Sequence, residues 1–160
     1  MSRDLNMATP FMKSFAEDII KAAKDELDMT VIVTSVDRTF QLQMALYAQG
    51  RQTLAEVNLL RKGVGLPPIT AKDNKQVTWT MASKHIINLL DMDSTNDKSK
   101  AIDLGIIING KYLSEDKDMD ANGIPEYKEL YLLAKKLYGN KIRYGYEFKK
   151  KDAPHYEEVV

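Results

Sequence analysis

Apolar residues recur every three or four positions from 11 to 27. Phe11, Phe15, Ile19, Ala22 and Ala23 fall on one side, with Lys13, Glu17, Lys21 and Lys24 mostly elsewhere. This spacing predicts an amphipathic helix. A β-branched run at 30–34 (TVIVT) then predicts a buried strand. Residues 40–49 and 54–62 predict two further helices, the second stopped by Gly63, before a turn-rich loop at 63–69. The segment 91–100 is polar and without period, so an exposed loop is expected. Apolar residues at 102–108 predict a second strand, followed by an acidic loop at 115–126. Tyr127, Leu130, Tyr131, Ala134, Leu137 and Tyr138 then keep helical spacing up to Gly139. Alternation at 142–148 predicts a half-buried strand, and 156–160 a last one. Helices lead and strands dominate late, which indicates an α+β fold with a small, mostly antiparallel sheet.

The chain has 160 residues, 44% of them hydrophobic and 29% charged, and neither repeats nor low-complexity tracts interrupt it. One domain is expected over 1–160, with a helical part at 1–62 and a β part at 77–160. A core of that size buries roughly 70% of the surface the unfolded chain exposes. With 23 basic and 23 acidic residues the net charge is zero, which argues against a general nucleic-acid binder. The absence of cysteine excludes disulfides, thiolate metal sites and a Cys nucleophile. No stretch approaches the about 18 apolar residues a membrane helix needs. Residues 1–10 lack the apolar core of a signal peptide, so synthesis and folding in a cytoplasm are expected.

The candidate chemistry gathers around the two histidines, His85 and His155. Asp103 lies inside the apolar run Ala101-Ile102-Asp103-Leu104, and a carboxylate in a strand is costly to bury unless it is paired or ligates a metal. Two His and one Asp form a three-ligand set that leaves a fourth position for water, the pattern of a catalytic zinc site. A general base is then needed. Asp152, before Pro154 and His155, is the candidate; the alternative is that it balances Lys149, Lys150 and Lys151.

These pieces resemble a known family. Ser35-Val36-Asp37-Arg38-Thr39-Phe40-Gln41-Leu42-Gln43 is similar to a Ser-x-x-Arg-(Ser/Thr)-x-x-x-Gln segment, followed by Ala45 to Arg51. Ser83-Lys84-His85, Ala101 to Leu104 and Asp152 to Glu157 match three further motifs in order. Together they resemble the M15-type zinc peptidoglycan peptidases, most closely the bacteriophage endolysins that are L-alanyl-D-glutamate endopeptidases. The resemblance runs from about position 31 to the C-terminus. It implies the fold of the D-Ala-D-Ala carboxypeptidase/Hedgehog-like metallopeptidases and Zn2+ held by His85, Asp103 and His155. Asp152 would be the base, Arg38 a catalytic or substrate-binding cation, and Gln43 and Ser83 secondary substrate-binding residues. One departure stands out. The family spacing His-x6-Asp falls on Met92, flanked by the rival carboxylates Asp91 and Asp93, so Asp103 requires about 11 inserted residues extruded as a loop.

A second metal motif is independent of the first. Residues 118–129 fit D-x-[DN]-x-[DN]-G-x5-E, with Asp118, Asp120, Asn122, Ile124, Glu126 and Glu129 at the ligand positions of a Ca2+ loop. Pro125 at the eighth position and a strand rather than a helix before the loop mark it as unpaired and EF-like. Calcium there would order the segment after Asp103 and tune activity.

The expected function is therefore hydrolysis of peptidoglycan stem peptides by a monomeric zinc hydrolase, between L-Ala and D-Glu. It would lyse a bacterial host after release from the cytoplasm, with no nucleic-acid partner, no membrane insertion and no separate wall-binding domain. The alternatives are a D-Ala-D-Ala type carboxypeptidase and a non-catalytic calcium- or wall-binding module. Helix 11–27 is expected to pack over the core. The cations Lys135, Lys136, Lys141, Arg143 and Lys149 to Lys151 form either a solvated face or a surface for anionic wall polymers.

Overall fold

In the computed structural model, which describes residues 2–90 and 92–159, an antiparallel sheet carries helices against one face. Helix α1 (Pro10–Leu27) begins where the Thr9 hydroxyl accepts the Met12 N–H, with Pro10 in the first turn, where no amide donor is needed. It ends at Asp28, whose φ of 49° is left-handed. Its buried stripe is Met12, Phe15, Ala16, Ile19 and Ala23, so the stripe expected from the sequence is rotated slightly, and Phe11 and Ala22 lie at its margin. Strand β1 (Thr30–Ser35) leads to α2 (Phe40–Ala48) and α3 (Leu54–Gly63), which pack on each other. A reciprocal capping box between Thr53 and Glu56 starts α3.

The later chain supplies β2 (Ala101–Ile108), β3 (Lys111–Tyr112), α4 (Glu126–Tyr138), β4 (Ile142–Tyr144) and β5 (His155–Glu158). The strand order is β1-β2-β5-β4, with β3 paired to β2, and every pairing is antiparallel. The α+β expectation holds. Because β1 belongs to the same sheet as β2, α1 and β1 of the expected helical part share one core with the later strands and α4.

Alternation along the strands divides the two faces. Ile102, Leu104 and Ile106 of β2, Tyr156 of β5 and Ile142 and Tyr144 of β4 enter the core with α1 and with Tyr127, Leu130 and Ala134 of α4. Asp103, His155 and Glu157, between these apolar positions, face the other way. Asp103 pairs across the ladder with His155, and Ala101 with Glu157. The sheet thus uses one face for stability and presents its polar residues on the other.

Two expected strands differ. The alternation at 142–148 continues as strand only to Tyr144, because Gly145–Glu147 forms a 3-10 turn. Gly145 lies against the loop that returns the chain to β5. A Cβ there would land on the Asp152 carbonyl oxygen and 2.7 Å from His155 Cβ. The last strand begins at His155 and ends at Glu158, and Val160 lies outside the described residues. The segment 91–100 is not wholly a surface loop either. Ser99 is buried, and its hydroxyl binds the Val36 and Ala101 carbonyls.

Candidate metal centre

Three separate parts of the chain meet on the polar face. His85 sits in a turn fixed by its neighbours: its N–H donates to the Ser83 hydroxyl at 3.3 Å, and its carbonyl accepts the Arg38 N–H at 2.8 Å. Beyond it, Ile87 N–H returns to the Arg38 carbonyl, and Lys100 N–H to the Lys84 carbonyl. These bonds close the base of the segment between His85 and Asp103. Asn88 N–H also reaches the Asn96 carbonyl, closing the outer loop on itself.

His85 Nε2, His155 Nδ1 and Asp103 Oδ1 form a triangle with sides of 3.2, 3.3 and 3.1 Å. His85 is 1% exposed and His155 8%. An ion bound tetrahedrally at about 2.0–2.1 Å holds its donors about 3.3 Å apart, so the triangle has the size a zinc-like ion requires. The protonation pattern also fits. His85 Nδ1 lies 2.6 Å from the Val36 carbonyl, which can only accept, so Nδ1 carries the proton. His155 Nε2 donates to Glu157 Oε2 at 2.9 Å. In its neutral form each imidazole would therefore turn a lone pair toward the other and toward a carboxylate oxygen. Such acceptors in contact need a proton or a metal ion between them, and outer partners of this kind fix the tautomers of metal-binding histidines.

Burial opposes ionisation of Asp103, but the charge of His85 and hydrogen bonds from His155 and His85 outweigh it and hold the carboxyl well below its ordinary range. For His155, burial acts downward, yet its bonds to Asp103 and Glu157 push the ring up to about 9 in the absence of a metal. A proton and a metal ion thus compete for the same lone pair.

The remaining expected residues take distinct positions. Asp152 is exposed on the wall of a cleft of about 170 Å3, which is also lined by Arg38, Trp79, Ser83, Lys84 and His155. Desolvation by the surrounding protein and the charge of Asp103 raise its pKa. Arg38 lines the cleft but its guanidinium is engaged: one nitrogen reaches Asp103 Oδ2 at 3.3 Å and another Gln43 Oε1 at 3.2 Å. It divides the labour of the Asp103 carboxylate, leaving Oδ1 for the two histidines. Gln43, expected to orient substrate, is 0% exposed and does not face the cleft. Its amide donates to Thr78 Oγ1 and the Thr80 carbonyl, tying α2 to the cleft wall. Ser83 lines the cleft while its hydroxyl holds the His85 turn.

Of the rival carboxylates, Asp93 caps the 94–96 turn through Thr95, and Asp91 lies outside the described residues. Met92 is fully exposed. The expected basic surface is largely paired: Lys135 with Glu147, Lys136 with Glu26, Arg143 with Glu157 and Lys151 with Asp116.

Sequence reasoning missed two residues. Glu157 accepts from His155 and from Arg143 at 2.8 Å, a buried carboxylate that orients the His155 ring. The signal was available, since His155 and Glu157 are two apart and share one face of any strand. Trp79, the only tryptophan, is 46% exposed on the cleft wall with Lys150 Nζ 3.8 Å from its ring centroid.

The acidic loop forms a second group. Carboxylate oxygens of Asp118, Asp120 and Glu126 lie within 4.8 Å of one another. Glu129 is not among them and accepts from Asn122 Nδ2 at 2.8 Å, while Asn122 Oδ1 accepts the Ile124 N–H.

No protein-family model matches the chain, and no curated protein matches it. Among the described residues no helix is long and apolar enough to cross a membrane.

Proposed function

We propose that this chain is a zinc peptidase that hydrolyses the stem peptides of bacterial peptidoglycan, cutting between L-Ala and D-Glu, on a D-Ala-D-Ala carboxypeptidase-like metallopeptidase fold. The observation that carries this reading is the triangle of His85 Nε2, His155 Nδ1 and Asp103 Oδ1 beside a cleft with Asp152 on its wall. The peptidoglycan substrate and the endolysin role rest on the motif resemblance.

His85, Asp103 and His155 would hold the ion. Zinc bound there supplies a Lewis acid that polarises the scissile carbonyl and acidifies water. Asp152 takes the proton from the attacking water and returns it to the leaving amine, a role favoured by its raised pKa. Arg38 keeps Asp103 ionised and aimed, with its second nitrogen braced by Gln43. Glu157 and Arg143 hold the His155 ring so that Nδ1 is the free lone pair. Trp79 offers an apolar wall for the peptide.

The test is loss of turbidity of purified peptidoglycan, with EDTA, then with Zn2+ restored. Clearing that EDTA stops and Zn2+ restores, with new amino termini on D-Glu, supports the proposal. Release of D-Ala without clearing moves the reading to a carboxypeptidase. Folded, zinc-loaded protein that frees neither amino termini nor D-Ala overturns the peptidase reading.

A further inference from the structure

We infer that the loop at 118–129 is a second metal site, specific for a hard, oxygen-ligated divalent cation of the Ca2+ class, with Asp118, Asp120 and Glu126 as its charged ligands. The sequence pattern alone would not carry this, since exposed acids cluster without ions. The structure adds an independent observation. Glu126 is 5% exposed, and its Oε2 is buried with no hydrogen-bond partner, while the residue contributes to the carboxylate group with Asp118 and Asp120. An ionised oxygen shut away from water without a partner is costly, and gathering the Glu126 carboxylate with those of Asp118 and Asp120 adds repulsion. A bound cation removes both penalties.

No protein cation substitutes for it among the contacts of the described residues. Lys117, the nearest in sequence, pairs with Glu115 at 2.7 Å. Glu126 and Asp120 also line a cavity of about 490 Å3, which has room for the waters that complete a calcium shell. The donors are all oxygen, which separates this site from the imidazole-bearing group on the sheet.

The ligand set differs from the one read from the sequence, and Pro125 explains why. Pro125 caps α4, so the helix starts at Glu126. Glu126 reaches back to the loop, where its Oε1 accepts the Met119 N–H at 2.6 Å. Glu129, one turn further on, is used instead to anchor Asn122. The carboxylate at the ninth loop position thus replaces the one at the twelfth as the inner ligand. Asp118 Oδ2 accepts the Gly123 N–H at 2.8 Å, which closes the turn around the group.

The experiment is calorimetric titration of Ca2+ into the zinc-loaded protein, with melting temperature recorded in parallel. One equivalent is expected to bind, and Ca2+ at about 100 times Kd is expected to raise the melting temperature by about 5–10 °C. Asp120→Asn, at an exposed position, should weaken binding at least tenfold. Glu126→Gln should abolish the calcium-dependent rise yet raise the melting temperature of the calcium-free protein, because the amide keeps the bond to Met119 and removes the orphaned charge. A merely structural Glu126 would instead give a less stable variant, which overturns the assignment. So would absence of heat at about 10 mM Ca2+. Binding that persists in Asp120→Asn and disappears in His155→Ala would mean that the ion enters the other group, and the proposal fails. His155→Ala should leave calcium binding intact, so loss of the zinc group and loss of the calcium loop are distinguishable.

Discussion

The His85–Asp103–His155 group and the 118–129 loop both gather three candidate metal ligands, but they are built in opposite ways. The first draws on residues far apart in sequence, lies on a sheet and is almost dry, with both imidazoles held by outer acceptors. The second comes from one contiguous stretch, with two of its three carboxylates in solvent. In the first, strand register and tertiary hydrogen bonds set the ligand positions before any ion arrives. In the second, a turn and a helix start bring the ligands together, and only Glu126 is committed by burial. Preorganisation should therefore make the first site tight and intolerant, and the second weaker and adjustable.

The sharpest way to break this contrast is His155→Ala. Stoichiometric zinc binding and wall hydrolysis should both fall to background, while Ca2+ binding is unchanged; metal analysis and calorimetry on the same sample read both. Next is Asp152→Asn, expected to lower hydrolysis by about 10²–10⁴ with zinc content unaltered, because the residue acts on protons rather than on the ion. Retention of full activity would remove Asp152 from the mechanism. Glu157→Gln should be milder, weakening zinc by about tenfold, as loss of an outer partner does; competition against a chelator measures it. The smallest effect tests whether the regions communicate. Asp116, two residues before the 118–129 loop, accepts from Tyr146 at 2.9 Å and stands 3.8 Å from Lys151, the neighbour of Asp152. Asp116→Asn should slow hydrolysis a few-fold without changing zinc affinity, and an unchanged rate would make the two regions independent.

The same contrast explains what could be read in advance. Helices α1 and α4 and strand β2 follow from local periodicity, and their bounds lie close to those expected. The acidic motif was legible because its residues are adjacent. The scattered group was legible only as two histidines and a carboxylate out of place in an apolar run, and the sheet supplied the proximity. What stayed hidden was nonlocal. The end of β4 at Tyr144 depends on Gly145 meeting the backbone of Asp152, a contact no alternation pattern contains. The burial of Gln43 was equally illegible, since a glutamine on a short helix reads as exposed until the Thr78–Thr80 segment packs over it.

The pairing of Asp103 with His155 across the β2–β5 ladder has a consequence for folding fidelity. A slip of one residue would turn one of the two ligands into the apolar core and bring an isoleucine or a tyrosine to the polar face. Such a misaligned chain could still collapse, but it could not close the triangle. An ion that binds only the aligned ladder would therefore act as a proofreader of strand registry, favouring the correct pairing over its near neighbours by mass action. Refolding from denaturant in the presence of Zn2+ should then yield a larger native fraction than refolding in chelator, and the gain should vanish in Asp103→Ala.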